Sequence, residues 1–263
     1  MRLLVLLSVV TYGLMYSQSN IIKSQYEVIY RVKMLRDTLA KENVIEEDLS
    51  LLVNGQKSLF KSTQKAVSDS ALMAIGKEQF ENPVNGKVVI DLRKVPSVRF
   101  PSEVYFDNGK QTVYKELLKN QFAYPLGDII DSKLHNETRK IGSYTCKKAE
   151  GTYKGRHYIA WYTNEIPISD GPYVFKGLPG LILEIFDTKG YTIFSMISIK
   201  KAEKPIIPIK EAISTTYQAF CKARQNYLDD PAGTVSARTG IALKPANIES
   251  IKSRIRSNNN FID

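Results

Sequence analysis

The stretch Tyr144-Thr145-Cys146-Lys147-Lys148-Ala149-Glu150-Gly151-Thr152-Tyr153-Lys154-Gly155-Arg156-His157-Tyr158-Ile159-Ala160-Trp161-Tyr162-Thr163 decides the fold. Two runs flank the turn pair Lys154-Gly155, which predicts an antiparallel hairpin. In the return run, His157, Ile159 and Trp161 share one face, and Tyr158, Ala160 and Tyr162 share the other. Both faces carry apolar groups, so this strand is expected in the middle of a sheet rather than at its edge.

The same reading extends in both directions. Downstream, Leu181–Phe186 and Tyr191–Ile199 flank Thr188-Lys189-Gly190 and predict a second hairpin. Upstream, Tyr26, Val28, Tyr30, Val32 and Met34 alternate with Glu27, Ile29, Arg31 and Lys33, the period of a half-buried strand. Leu49–Val53 and Lys57–Ser62 flank Asn54-Gly55, which predicts a hairpin on a type I′ turn. Tyr105-Phe106-Asp107-Asn108-Gly109-Lys110 predicts another, leading to Thr112-Val113-Tyr114. Val88-Val89-Ile90 begins a further strand, and Val67–Ile75 is briefly helical.

After Pro205 the period changes. Ile209, Ile213, Tyr217, Phe220 and Tyr227 recur at helical spacing, predicting an amphipathic helix that starts near Pro208 and ends at Asp230-Pro231-Ala232-Gly233. Ile248, Ile251 and Ile255 predict a shorter basic helix, and Asn258-Asn259-Asn260 begins a frayed tail. Sheet first and helices last is an α+β order. The expected architecture is a large curved antiparallel sheet, an open half-barrel, packed with C-terminal helices in a single domain.

The chain's first residues read as a secretory signal peptide. Arg2 supplies the positive region, Leu3–Tyr16 the apolar one, and Ser17, Gln18 and Ser19 the polar junction. Cleavage after Ser17 would leave residues 18–263 as the mature domain. The apolar run is shorter than the roughly 20 residues a permanent membrane span needs. These features predict an exported protein, periplasmic or extracellular, with no transmembrane span after cleavage.

The 263 residues carry 37 Lys and Arg against 27 Asp and Glu, a net charge of +10. The basic residues are spread out, with short clusters at Lys147-Lys148, Lys200-Lys201 and Lys252–Arg256, and no nucleic-acid motif accompanies them. The two cysteines, Cys146 and Cys221, allow one disulfide in an exported protein; two buried free thiols are equally compatible with their surroundings.

Catalytic patterns are sparse. The chain has two histidines: His135, in a polar stretch read as a loop, and His157, at the start of a strand. No zinc-ligand spacing, Gly-x-Ser-x-Gly turn, phosphate loop or other cofactor motif occurs. One dyad is conceivable: Cys146 and His157 could meet across paired strands, with Lys147 and Lys148 favouring a thiolate.

The second distinctive run is Gly171-Pro172-Tyr173-Val174-Phe175-Lys176-Gly177-Leu178-Pro179-Gly180-Leu181-Ile182. Gly171, Gly177 and Gly180 allow backbone angles that other residues avoid, and Pro172 and Pro179 fix φ, so the loop is expected to be rigid. Tyr173, Phe175 and Leu178 either plug the end of the sheet or, with Trp161 and Arg156, line a ligand site. Glu165, Asp170, Glu184 and Asp187 lie nearby on turns or strands without an evident proton-transfer partner.

Gly177-Leu178-Pro179-Gly180-Leu181-Ile182 resembles the signature of the GLPGLI family, exported Bacteroidota proteins of unknown function. The resemblance runs from Gly142-Ser143-Tyr144-Thr145-Cys146 through Tyr153-Lys154-Gly155-Arg156, Ala160-Trp161-Tyr162-Thr163 and Ile166-Pro167-Ile168 to Phe186-Asp187. The ending Asn260-Phe261-Ile262-Asp263 departs from the family's Asn-Pro-Ile-Glu-Leu type of ending. The order of strands is also similar, at the level of topology, to the open-sheet lipoprotein carriers (LolA-like). The resemblance implies export and this fold, and names no substrate or catalytic residue. The expected function is non-catalytic binding of a hydrophobic or peptide-like ligand, or of an envelope partner, near Gly171–Gly180. Alternatives are a thiol enzyme using Cys146 and His157, and a structural envelope component.

Overall fold

The structure, a computed structural model, describes residues 21–81, 95–127, 130–240 and 244–262. The expected signal peptide and the expected strand at Val88-Val89-Ile90 lie outside the described residues. Along the chain run β1 (Tyr26–Leu35), β2 (Val44–Val53), β3 (Lys57–Ser62), α1 (Thr63–Glu81), β4 (Glu103–Asp107), β5 (Lys110–Leu117) and β6 (Asn120–Pro125). There follow β7 (Ser132–Ile141), β8 (Tyr144–Tyr153), β9 (Arg156–Thr163), β10 (Leu181–Asp187), β11 (Thr192–Lys201), β12 (Ile213–Ser214), α2 (Tyr217–Asp229), α3 (Pro231–Thr239) and α4 (Pro245–Arg256).

The strands form one open sheet in the order β12-β6-β5-β4-β3-β2-β1-β11-β10-β9-β8-β7. Its pairings are antiparallel except for β12 on β6. Local turn chemistry sets most registers. Asn108-Gly109 and Lys154-Gly155 both hold two consecutive positive φ values, as type I′ turns require, and pair Asp107 with Lys110 and Tyr153 with Arg156. The Asn54-Gly55 turn differs from expectation. Only Gly55 has positive φ, the Asn54 N–H donates to Lys57 O at 3.0 Å, and the Asn54 side chain accepts from the Lys57 N–H at 2.9 Å. The central pair is therefore Gly55-Gln56, a turn with glycine first, and Asn54 closes it from outside.

Two strands were hidden in the sequence. β6 follows β5 through Leu118-Lys119, both at positive φ without a glycine. β7 contains His135, so that segment is an edge strand rather than a loop; its pairing with β8 is interrupted by an irregularity between Leu134 and Thr138.

Curvature follows from contacts across the sheet. β5 and β9 are seven strand positions apart, about 34 Å in a flat sheet at 4.7–4.9 Å per strand. Yet adjacent residues of one loop touch both. Gln111 of β5 donates to Val174 O at 3.2 Å, while the Phe175 ring lies 4.7 Å from that of Tyr158 in β9 and 5.8 Å from that of Tyr153 in β8. Only a sheet rolled around the loop permits this. One core cluster accordingly joins Val28, Tyr30, Leu49, Phe60, Val113 and Phe194 to the loop residues Tyr173, Val174, Phe175 and Leu178.

The helical part departs from the expected long helix. Residues 209–214 are not helical; Ile213-Ser214 instead adds β12 to the edge of β6. α2 begins only after Thr216, whose hydroxyl accepts from the Ala219 N–H at 3.1 Å, an N-cap that satisfies one of the helix's unpaired donors. Phe220 then packs on Phe122 and Tyr124 of β6. Asp230-Pro231 ends α2, as expected, but also starts α3, with Asp230 capping Gly233 N–H at 2.9 Å. α2 spans the opening of the half-barrel: Tyr217 stacks near Tyr124 of β6 on one side, and Lys154 of the β8–β9 turn sits 3.9 Å from the Tyr217 ring centroid on the other.

The tail expected to fray is docked. Asn260 and Ile262 are buried, Asn260 Nδ2 donates to Leu35 O at 2.7 Å, and Asn259 Oδ1 accepts from the Thr38 N–H at 2.9 Å. No helix among the described residues is long and apolar enough to cross a membrane.

Candidate functional site

The signature loop occupies the inside of the half-barrel, and this corrects its reading as a ligand surface. Tyr173 is 1% exposed, Phe175 3% and Leu178 5%. Tyr173 packs edge-on to Phe100, and Phe175 against Tyr153 and Tyr158, so these side chains plug the sheet. Trp161 is also buried, under the guanidinium of Arg139, which lies 4.4 Å from its ring and pairs with Glu184. Arg156 is half-buried beside the β8–β9 turn.

The loop's glycines are needed at two points in particular. A Cβ on Gly180 would stand 2.0 Å from Thr163 O, and one on Gly171 2.6 Å from Phe175 O. Gly180 also has φ +147. Gly177 meets nothing within 4 Å, and its role is its φ of +94. Tyr173 itself is held at φ +57, a left-handed conformation that costs an ordinary residue roughly 1–2 kcal/mol and persists only where packing compels it.

Inside this loop lies a pair that sequence reading missed. Lys176 Nζ is 3.1 Å from Asp170 Oδ1, donates to Ser58 Oγ at 3.0 Å, and sits 4.1 Å from the Phe106 ring centroid. Burial pushes the Lys176 ammonium below its ordinary range, and the Asp170 carboxylate opposes that. Asp170 also accepts from the Gly171 N–H at 2.8 Å, so the carboxylate ties the start of the loop to its middle. A signal was available: Lys176 is a lone charge in an apolar run, six residues after an aspartate. Of the other carboxylates, Glu165 accepts from Thr145 N–H, and Asp187 accepts from the N–H groups of Lys189, Tyr191 and Thr192, closing the β10–β11 turn.

The thiol dyad is not assembled. His157 pairs with Thr152 across the β8–β9 ladder. Thr152 is six residues, about 20 Å of strand, from Cys146. Cys146 is fully buried, and burial pushes its thiol up, away from the reactive range. Cys146 and Cys221 are both free thiols, the former buried and the latter half-buried in α2. The two histidines meet elsewhere: His135 Nε2 and His157 Nε2 lie 3.6 Å and 3.5 Å from Glu150 Oε2, and Lys148 Nζ is 2.8 Å from Glu150 Oε1. Among the described residues, no group of three His, Cys, Asp or Glu side chains is arranged to hold a metal ion.

Space that the loop does not fill opens at the end of the half-barrel where β1 begins. A cavity of about 770 Å³ opens there. The segment Glu165–Asp170 roofs it. Tyr26, Val53, Phe106, Tyr144 and Ile199 provide aromatic and aliphatic walls, and Lys200 and Lys201 stand on its rim. The volume lies in the range of small-ligand sites, roughly 300–1,000 Å³. The roof is anchored by the ion pair, because Asp170 contributes to the lining and Lys176 holds it to β3 through Ser58.

Comparison with known proteins adds little chemistry. No curated protein matches the chain. Two solved structures of PNGF-II, in the C2 and P21 space groups, resemble it with TM-scores of 0.47 and 0.48 at 17% and 15% identity. Each alignment covers 75% of this chain and 32% of the other, so the chain spans about a third of the length of those structures. Residues 151–184, from the end of β8 through β9 and the signature loop into β10, match a family described as "Protein of unknown function (Porph_ging)".

Proposed function

We propose that the protein is an exported, non-catalytic binding protein of the GLPGLI type, working in the bacterial cell envelope and holding a hydrophobic or peptide-like ligand in the cavity roofed by Glu165–Asp170. The observation that carries this reading is the cavity itself. It adjoins the signature loop, combines apolar walls with Lys200, Lys201 and the Asp170 carboxylate, and is of ligand size. Relative to the sequence-based expectation, the binding position moves. Tyr173, Phe175 and Leu178 belong to the core, and the preceding segment, with Pro167 in it, presents the contacts.

The separation of Cys146 from His157, and the burial of Cys146, support a binding role over thiol chemistry. A buried thiol without a base lacks both routes to a nucleophile, a depressed pKa and an adjacent proton acceptor.

Native mass spectrometry of the protein purified from its own envelope tests the reading. A non-covalent adduct is expected on the wild type and is expected to be lost in Ile168→Trp, which fills the cavity from its roof. An adduct retained at full occupancy in a correctly folded Ile168→Trp variant would move the site elsewhere.

A further inference from the structure

A second cavity, of about 430 Å³, lies at the opposite end of the half-barrel: Met34, at the far end of β1 from Tyr26, lines it. Its walls include Phe100, Leu117, Leu228 and Ile262, drawn from the segment before β4, from β5, α2 and the docked tail. Four cations, Arg36, Arg99, Lys115 and Arg224, face it against one carboxylate, Glu116. Two of the four are engaged by rings. Arg224 lies 4.4 Å from the Phe261 ring centroid, and Lys115 lies 5.1 Å from that of Tyr173.

Arg36 and Arg99 differ from these. Neither guanidinium has a carboxylate partner among the described residues, although the nearby carboxylate Glu47 is already committed to Ser62 and to the Arg99 and Phe100 N–H groups. Both arginines also line an adjoining cavity of about 380 Å³ whose other walls include Asn43, Ser97 and Ser257. The two arginines therefore stand between an apolar chamber and a polar one.

We infer that this pair of chambers binds a single-chain amphipathic anion, its hydrocarbon in the apolar chamber and its carboxylate or phosphate head between Arg36 and Arg99. The charge pattern selects the occupant. A neutral hydrocarbon would leave the Arg36 and Arg99 guanidiniums, which have no carboxylate partner among the described residues, without a role, and a small free anion would leave the apolar chamber unused. Arginine's planar fork suits both oxyanion heads, because each can take two parallel N–H bonds. The site is separate from the cavity beside the signature loop and stands or falls independently of it.

Isothermal titration of the folded wild-type protein with dodecanoate, dodecyl phosphate, dodecyl maltoside and inorganic phosphate, each below any micelle threshold, tests the inference. Both anionic amphiphiles are expected to bind at least tenfold tighter than the uncharged one and than inorganic phosphate. Tighter binding of one of them identifies the head. Arg36→Gln/Arg99→Gln is expected to weaken the anionic amphiphiles tenfold or more without moving the melting temperature, because both residues are exposed. Leu228→Trp is expected to abolish binding by filling the apolar chamber with the arginines intact. Equal binding of dodecyl maltoside, no binding of either anion, or an unchanged affinity in the double arginine variant overturns it; if Leu228→Trp fails to fold, the ligand series and the arginine variant still decide.

Discussion

Lys176 Nζ and Asp170 Oδ1 stand 3.1 Å apart inside the half-barrel, and both side chains are almost wholly removed from solvent. Removing one partner leaves a buried charge uncompensated, which costs about 3–5 kcal/mol, whereas removing both can be close to neutral. Asp170→Asn and Lys176→Met are therefore each expected to lose stability on that scale in urea unfolding. The double variant is expected to recover most of the loss. Additive single effects would show that the two groups act separately.

Gly180 and Gly177 occupy one signature but serve it differently. Gly180→Ala drives a methyl into Thr163 O, a collision with backbone that cannot swing aside. Gly177→Ala meets open space and bears only the cost of positive φ, about 1–2 kcal/mol. Thermal unfolding is expected to rank Gly180→Ala far below Gly177→Ala, with the former failing to fold or losing several kcal/mol. Equal melting temperatures would contradict this packing.

Glu27 provides a pH-dependent contribution. Burial raises its carboxyl pKa, but hydrogen bonds from Lys204, Ser50 and Lys200 outweigh burial and hold it below the ordinary 4.5. A depressed folded-state pKa means the unfolded chain binds the proton first, so the stabilisation is present above about 4.5 and is lost as pH falls through the lower folded value. The stability difference between wild type and Glu27→Gln, measured by urea unfolding, is expected to be constant near neutrality and to shrink below that pH. A difference that grows on acidification would reverse the sign.

The two thiols are expected to separate kinetically. Cys221 is half-buried with Arg224 3.8 Å from its sulfur, whereas Cys146 is fully enclosed. A disulfide exchange reagent is expected to modify Cys221 in the native protein and Cys146 only on unfolding. Rapid native labelling of Cys146 would reopen thiol chemistry at that strand.

Much of this sheet was legible locally. The Asn108-Gly109 and Lys154-Gly155 turns and the alternation in Tyr26–Leu35 specify their strands because positive φ and a period of two are properties of short segments. Leu118-Lys119 and Ser132–Ile141 were not legible. The first turn lacks glycine, and the second strand lies at an edge, exposed and polar, where no apolar alternation is required. The expected helix from Pro208 failed because Ile209 and Ile213 have the right spacing, while Thr216 supplies the cap and β6 offers Ile213 an edge to pair with.

What the sequence by itself determined is the family-like signature, the glycine and proline positions of its loop and the hairpin sequence of an α+β chain. Tertiary structure alone decided where the loop goes. β1 pairs with β11 across more than 150 residues, and the rolled sheet brings Gln111 and Tyr158 to neighbouring loop positions. That long-range closure buries Tyr173, Phe175 and Leu178, brings Lys176 onto Asp170, and leaves a cavity at each end of β1. Turn chemistry acts over four residues and can be read along the chain. Burial and ion pairing depend on which distant surfaces meet, and no short segment carries that information.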